Sequence, residues 1–358
     1  WVRTGSSDGA FCAIADGGAS LYVSKQLGRI FRVDVDDRGA IRGSARVDPV
    51  GAGPYRFINP FILDPSDSRR MYLPIGDEIW RNDRIDTIPT GSNLPTSIGW
   101  QKIEGSKPVP VAGEDVEITA IAASKRNPVG RVYFGTDTGR IYRMDDAAGE
   151  TPVAVDVTVQ GMPVGAFISS LAVDPDDADH AMVTYSNYGV ISIFRTTDGG
   201  ATWNAVAGNL EERPDGGGNG PSVRTVAILP RGGRIVYLVG TSTGLYSTIR
   251  MNGSETIWTK EGTTTIGNVV VDMLDVRESD GFVAVGTHGN GVYSSTIGEL
   301  SVDDTRRTQS TSGSVMISQP RPNPVVDRFT IDVRTTAVSG AGRLVLYNVD
   351  GREVYSRT

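Results

Sequence analysis

Two carboxylates, Glu117 and Asp137, sit beside apolar runs at positions that read as loops. A pair of this kind held roughly 5 to 10 Å apart could hydrolyse a glycosidic bond, one carboxyl as acid and the other as base or nucleophile. His288, beside Gly289, also invites a catalytic reading, but spacing ties no nucleophile or orienting acid to it. The stretch RTTDGGATWNAV, 195–206, gathers an acid, two glycines and a tryptophan in one turn. There Asp198 can accept N–H groups of its own turn and the glycines allow positive φ. The aspartates of DPDDADH, 174–180, offer calcium ligands but not the spacing of a calcium loop. His180, inside that acidic run, is expected to be solvated. No catalytic residue is assigned, and Glu117 and Asp137 remain weak candidates.

The bulk composition narrows the chemistry. Across 358 residues the formal net charge is −7, and the basic residues are scattered. Neither a nucleic acid nor an anionic membrane surface is therefore expected as partner. Cys12 is the only cysteine and there are two histidines, so no disulfide forms within the chain and no cysteine- or histidine-rich metal centre can be built. No metal and no cofactor is expected. No apolar run approaches the roughly 20 residues of a membrane-spanning helix. The start at Trp1, with neither an initiator methionine nor a signal peptide, reads as a fragment or a processed product.

What must position these side chains is a repeat. A short apolar run around an aromatic recurs at Phe31, Trp80, Tyr142, Phe194, Tyr246 and Tyr293, at intervals of 49, 62, 52, 52 and 47 residues. Two further β-rich runs precede each anchor, and Trp100, Trp203 and Trp258 open a fourth run in three of the units. Forty-four glycines supply the turns. The pattern predicts an all-β chain: a β-propeller of about six four-stranded blades, or a portion of a larger array, over residues 1–296. The last unit lacks a fourth strand of its own, whereas WVRTG at the start reads as a fourth strand without its first three.

In such a ring, blade-to-blade connections and second-to-third-strand turns share one face, where ligands usually sit. That connection face should carry Arg56, Asn59, Glu114, Asp115, Glu117, Asp137, Tyr188, Arg224, His288 and Asn290. Asp198 and the DPxD-type turns fall on the opposite, turn face, as structural elements.

Thr196, Asp198, Gly200, Thr202 and Trp203 match the Asp-box pattern Ser/Thr-x-Asp-x-Gly-x-Thr-Trp. With units such as GPYRFINPFILDPSDSRRMYLPIGDEIWR, the chain resembles the sialidase-like and sortilin-like Asp-box (BNR) repeat propellers of secreted bacterial proteins. The resemblance implies a propeller and, more loosely, action on carbohydrate. YRFINP approximates the Phe/Tyr-Arg-Ile-Pro motif of sialidases, with extra residues before Pro60, and only one complete Asp box is present.

PRPNPVVDRFTIDV and GRLVLYNVDGREVYS resemble the C-terminal sorting domain of the type IX secretion system. Read from the residues, RFTIDV and RLVLYNV alternate as half-buried strands, with Asp-Gly at a hairpin turn. The expected organisation is a propeller, a polar linker at 297–314 and a partial, truncated Ig-like β-sandwich at 315–358. The resemblance implies a secreted or cell-surface protein that binds an extracellular glycan or protein and is exported by the type IX machinery. The alternatives are a glycoside hydrolase of extracellular polysaccharide and a structural component of an extracellular assembly.

Overall fold

The computed structural model describes residues 8–108 and 116–300, and four short strands of the C-terminal part. WVRTG, Glu114, Asp115 and most of the proposed linker lie outside the described residues. The chain divides into two compact units, Trp1–Glu299 and Leu300–Thr358.

The first unit is built of six antiparallel sheets in which sequence neighbours pair. Blade 1 holds β1 (Gly9–Ile14), β2 (Ser20–Lys25), β3 (Arg29–Val35) and β4 (Ile41–Arg46). Blade 2 holds β5 (Ile62–Asp64), β6 (Asp67–Ile75), β7 (Glu78–Asn82) and β8 (Trp100–Ile103). Blade 3 is β9 (Ile118–Ala123), β10 (Val132–Thr136), β11 (Ile141–Met144) and β12 (Ala154–Asp156). Blade 4 is β13 (Ile168–Asp174), β14 (Asp177–Tyr185), β15 (Ile193–Thr196) and β16 (Asn204–Ala205). Blade 5 is β17 (Val223–Arg231), β18 (Arg234–Thr241), β19 (Gly244–Thr248) and β20 (Thr259–Glu261). Blade 6 has β21 (Val271–Arg277), β22 (Phe282–Thr287) and β23 (Val292–Thr296), with no fourth strand among the described residues. From blade 2 onward, the first strands of successive blades pack on one another and form the inner ring.

The second strands are the most apolar, so both sheet faces can be covered by neighbouring blades. Met71–Ile75 and Val132–Thr136 are buried along their whole length. The core accordingly lies between sheets. One buried cluster joins blades 1 and 2, a second joins blades 2 and 3, a third blades 3 and 4, and a fourth blades 4 and 5.

Two polar clasps cross the same seams. The arginine after each of the first three anchor aromatics donates to the outer turn of the next blade. Arg32 reaches the Ile85 and Asp86 carbonyls at 3.0 and 2.6 Å. Arg81 reaches Ala147 and Gly149 at 2.6 and 2.9 Å, and Arg143 reaches Gly199 at 2.7 Å. In the reverse direction, Trp100, Trp203 and Trp258 donate their indole N–H to Val47, Val157 and Val206 at 2.7, 3.0 and 2.9 Å. Each valine immediately follows the outer strand of the preceding blade.

At the turn-face end, Lys125 and Arg126 reach from blade 3 to Glu278 of blade 6, and Arg126 also binds Asp176 of blade 4 at 2.7 Å. Burial alone would raise the Glu278 carboxyl, but Arg126 and Lys125 outweigh it and hold it below the ordinary glutamate value of 4.5. A carboxyl with a lower pKa folded than unfolded stabilises above the unfolded value, and that contribution is lost as pH falls through the folded one. Below pH 4.5, the thermal midpoint of the wild type is therefore expected to fall more steeply than that of Glu278→Gln. Calorimetry from about pH 6 to pH 3 checks this; parallel curves would refute it.

In the second unit, β24 (Val315–Ile317) pairs with β25 (Val333–Thr335), and β26 (Leu344–Tyr347) pairs with β27 (Glu353–Arg357). The expected Ig-like sandwich is not seen: the described residues form two separate two-stranded ribbons. A ribbon of two strands is too narrow to supply the broad inner face that a sandwich packs.

Candidate functional site

On the connection face, a cavity of about 330 Å³ is lined by Phe11, Arg56, Phe57, Ile58, Thr119, Phe167 and Ser169. They come from the inner strands of blades 1, 3 and 4 and from the connections that lead into blades 2 and 4. Phe57 and Ile58 are 56% and 46% exposed, and Tyr188 on a nearby turn is 67% exposed. Two exposed apolar side chains beside a polar mouth are what a binding surface offers. Arg56 forms an ion pair with Glu117 and lies over the Phe167 ring at 5.2 Å. This fixes its guanidinium at the wall of the cavity.

The other sequence-derived candidates fall in three places. Asp137 stands next to Glu117: its carboxylate accepts the Glu117 N–H at 3.0 Å, and its own N–H donates to the Glu117 carbonyl at 3.0 Å. The two acids are thus neighbours through the Glu117 backbone, with the Glu117 carboxylate committed to Arg56 and the Asp137 carboxylate to a backbone N–H. On blades 5 and 6, Asp272 lies 4.0 Å from Arg224 and 3.3 Å from His288, while Asn290 donates to the Tyr293 hydroxyl at 2.8 Å. Asn59 is 2% exposed and donates to the Pro60 and Pro74 carbonyls at 3.1 and 2.8 Å, anchoring the loop that displays Phe57.

The Thr196–Trp203 turn is on the opposite face. Asp198 accepts the Thr202 N–H at 2.9 Å, the Thr202 hydroxyl at 2.6 Å and the Thr196 hydroxyl at 2.8 Å. These bonds hold its carboxyl below the usual aspartate value, Thr202 contributing most. Gly200 donates to the Thr196 hydroxyl at 2.9 Å with φ of 89°. Asp198, Thr196 and Thr202 hold the turn itself, and Trp203 on Val157 and Gly199 under Arg143 fasten it to blade 3.

His180 contradicts its sequence reading. It is buried, not solvated, with Nδ1 2.9 Å from Asp174 and Nε2 accepting from Arg195 at 2.8 Å. With Nε2 accepting, the proton sits on Nδ1 and donates to Asp174. Asp64 plays the same part in blade 2, where its turn is held by Arg70 at 3.0 Å. The acids around His180 are all spent on protein partners: Asp176 on Arg126, Asp179 on Arg131 and Asp177 on its own turn. No group of three or more potential metal ligands occurs among the described residues.

A solved structure, the Myceliophteria thermophila Cps50 (Swd1) beta-propeller domain, is similar to this chain with a TM-score of 0.52. The match covers 83% of this chain and 86% of that one at 15% identity. The fold is a six-bladed β-propeller. No family model and no curated protein matches the sequence. No helix among the described residues is long and apolar enough to cross a membrane.

Sequence reasoning missed Phe57, Ile58, Phe167 and Asp272. The first two lay inside YRFINP, where two apolar residues in a connection that needs none were the available signal. Phe167 opens its blade and reads as core.

Proposed function

We propose that this propeller is a binding module that holds an extracellular glycan or protein at the connection-face mouth and does not cut it. The observation that carries the reading is the juxtaposition of exposed Phe57 and Ile58 with the Arg56 guanidinium stacked on Phe167. The apolar rim suits the flat face of a sugar ring or a partner's apolar side chain, and Arg56 with Glu117 gives directional hydrogen bonds. Two-carboxylate hydrolysis needs two carboxyls available to the scissile bond, whereas the Glu117 carboxylate is paired with Arg56 and the Asp137 carboxylate accepts a backbone N–H. The sorting-domain resemblance of residues 315–358 supports export by the type IX route and a secreted or cell-surface location.

The test is binding of the full chain to paired glycan and peptide arrays. Hits are expected to weaken about tenfold or more in Arg56→Ala, the loss of one good charge-assisted contact. The double variant Phe57→Ser/Ile58→Ser should lose them with its thermal midpoint unchanged, because both side chains are exposed. Hits that survive both changes would sink the assignment.

A further inference from the structure

The walls of the connection-face cavity keep little polar capacity for a ligand. Phe11, Phe57, Ile58 and Phe167 supply most of the lining. Both hydroxyls of the wall are turned into the protein. Thr119 donates to the Ile168 carbonyl at 2.7 Å, and Ser169 is shared between the Val223 carbonyl and the Thr184 hydroxyl, each at 2.9 Å. The backbone is committed as well. The Ser24 hydroxyl accepts the Phe11 N–H at 2.8 Å and donates to the Phe11 carbonyl at 3.0 Å. Asn187 takes the Phe167 N–H at 2.6 Å, and the Ser186 N–H reaches the Phe167 carbonyl at 3.2 Å. The Phe57 carbonyl accepts from Leu27 at 3.0 Å, and the Arg56 N–H donates to Asn59 at 3.1 Å.

What is left is one polar edge. Arg56 pairs with Glu117 through a single Nη, and its other side-chain nitrogens have no acceptor among the described residues. The Glu117 side chain is 39% exposed. The pair carries no net charge, yet it keeps donors and an acceptor open side by side.

That inventory separates the two kinds of occupant. A sugar ring carries a hydroxyl on nearly every carbon, and each one moved into an apolar cavity without a partner weakens binding. An apolar side chain leaves nothing unpaired and gains from the surface it covers. An aromatic ring gains further from edge-to-face packing on phenylalanine rings. Beside each side chain a peptide presents a carbonyl and an N–H, the complement of Arg56 and Glu117. The cavity, about 330 Å³, is near the bottom of the range for ligand pockets, roughly 300 to 1,000 Å³, and exposed Phe57 and Ile58 continue its apolar surface outward. The occupant is therefore longer than the cavity, with a side chain inside and its backbone across the rim.

We propose that the mouth receives one aromatic side chain from a loop or tail of a partner protein, with Arg56 and Glu117 bonding the adjoining peptide group. This rests on the connection-face mouth being the binding site, and it selects a protein over a glycan as the occupant.

The probe is acetyl-Ser-Phe-Ser-amide, titrated against the full chain and followed by saturation-transfer NMR of the peptide. It is expected to saturate, and acetyl-Ser-Ala-Ser-amide to bind about tenfold more weakly or worse, since the burial of a ring is lost. Phe57→Ser/Ile58→Ser should weaken the phenylalanine peptide by a similar factor. Methyl β-galactoside that saturates the wild type but not the double variant, with the phenylalanine peptide unbound, would overturn this inference and leave the mouth as the binding site. Binding of both ligands unchanged in that variant would sink the two readings together. Toluene held as tightly as the peptide would make the cavity a site for free apolar molecules and overturn the peptide class.

Discussion

Trp258→Ala is expected to cost about 3 to 5 kcal/mol, the largest loss of any single change proposed for this protein. Trp258 is 1% exposed and belongs to the cluster between blades 4 and 5, against Val206, Leu210 and Val226. Truncation removes a large apolar surface from a site that cannot collapse, because β17 and β18 on one side and blade 4 on the other are both fixed by their own sheets. It also removes the donor to the Val206 carbonyl and leaves that acceptor inside the seam. The thermal midpoint should fall by roughly 5 to 15 °C. Trp258→Phe keeps most of the volume but not the N–H, so it should recover most of the loss. If the two variants melt together, the indole hydrogen bond and not the packing dominates, contrary to this account.

Arg81→Ala is expected to lose about 2 to 4 kcal/mol. Its guanidinium, in a side chain only 8% exposed, satisfies two carbonyls of blade 3 at once and pairs with Asp83 at 3.1 Å. Removal strands both acceptors and leaves the acid without one of its partners. One nitrogen, Nη1, serves both carbonyls while Nε–H donates to Asp83; lysine keeps a charge but has no second nitrogen to hold Asp83 at the same time, so Arg81→Lys should fall between the wild type and alanine. Arg69 is the control: it pairs with Asp67 in water, with more than half of its side chain exposed. Arg69→Ala should leave the denaturation midpoint where it was. Urea unfolding of the four proteins checks the order, and equal loss at Arg81 and Arg69 would show that the inter-blade fork contributes nothing.

These two residues also show how far the sequence could be read. The aromatic anchors and the three tryptophans were visible as a period, because each blade repeats the same strands and an inner ring demands the same apolar runs. The arginines stood beside the aromatics in GRIFR, DEIWR and GRIYR, yet their role was hidden. Their acceptors are backbone carbonyls 53 to 68 residues away, and a carbonyl has no letter in the sequence. Polar residue types misled in a complementary way. Asn59 and His180 look like loop and surface residues, but each is buried because its polar atoms are satisfied locally, Asn59 by proline carbonyls and His180 by Asp174 and Arg195. Arg56 and Glu117 were each legible as groups on the connection face; that they neutralise one another depends on blades 2 and 3 meeting. The turn-face cluster of Arg126, Asp176 and Glu278 left no trace, since its members come from the hairpins of blades 3, 4 and 6, which are 50 to 152 residues apart in the chain.

The claim that this mouth holds a ligand without cleaving it is tested most directly by recovering the ligand. Array hits would be incubated with the full chain, separated from it and weighed by mass spectrometry, alongside an assay for newly formed reducing ends. Every glycan or peptide is expected to return with its mass unchanged, in the wild type and in Glu117→Gln and Asp137→Asn alike. Shortened sugars from the wild type that vanish in either variant would make the protein a glycoside hydrolase and contradict the account.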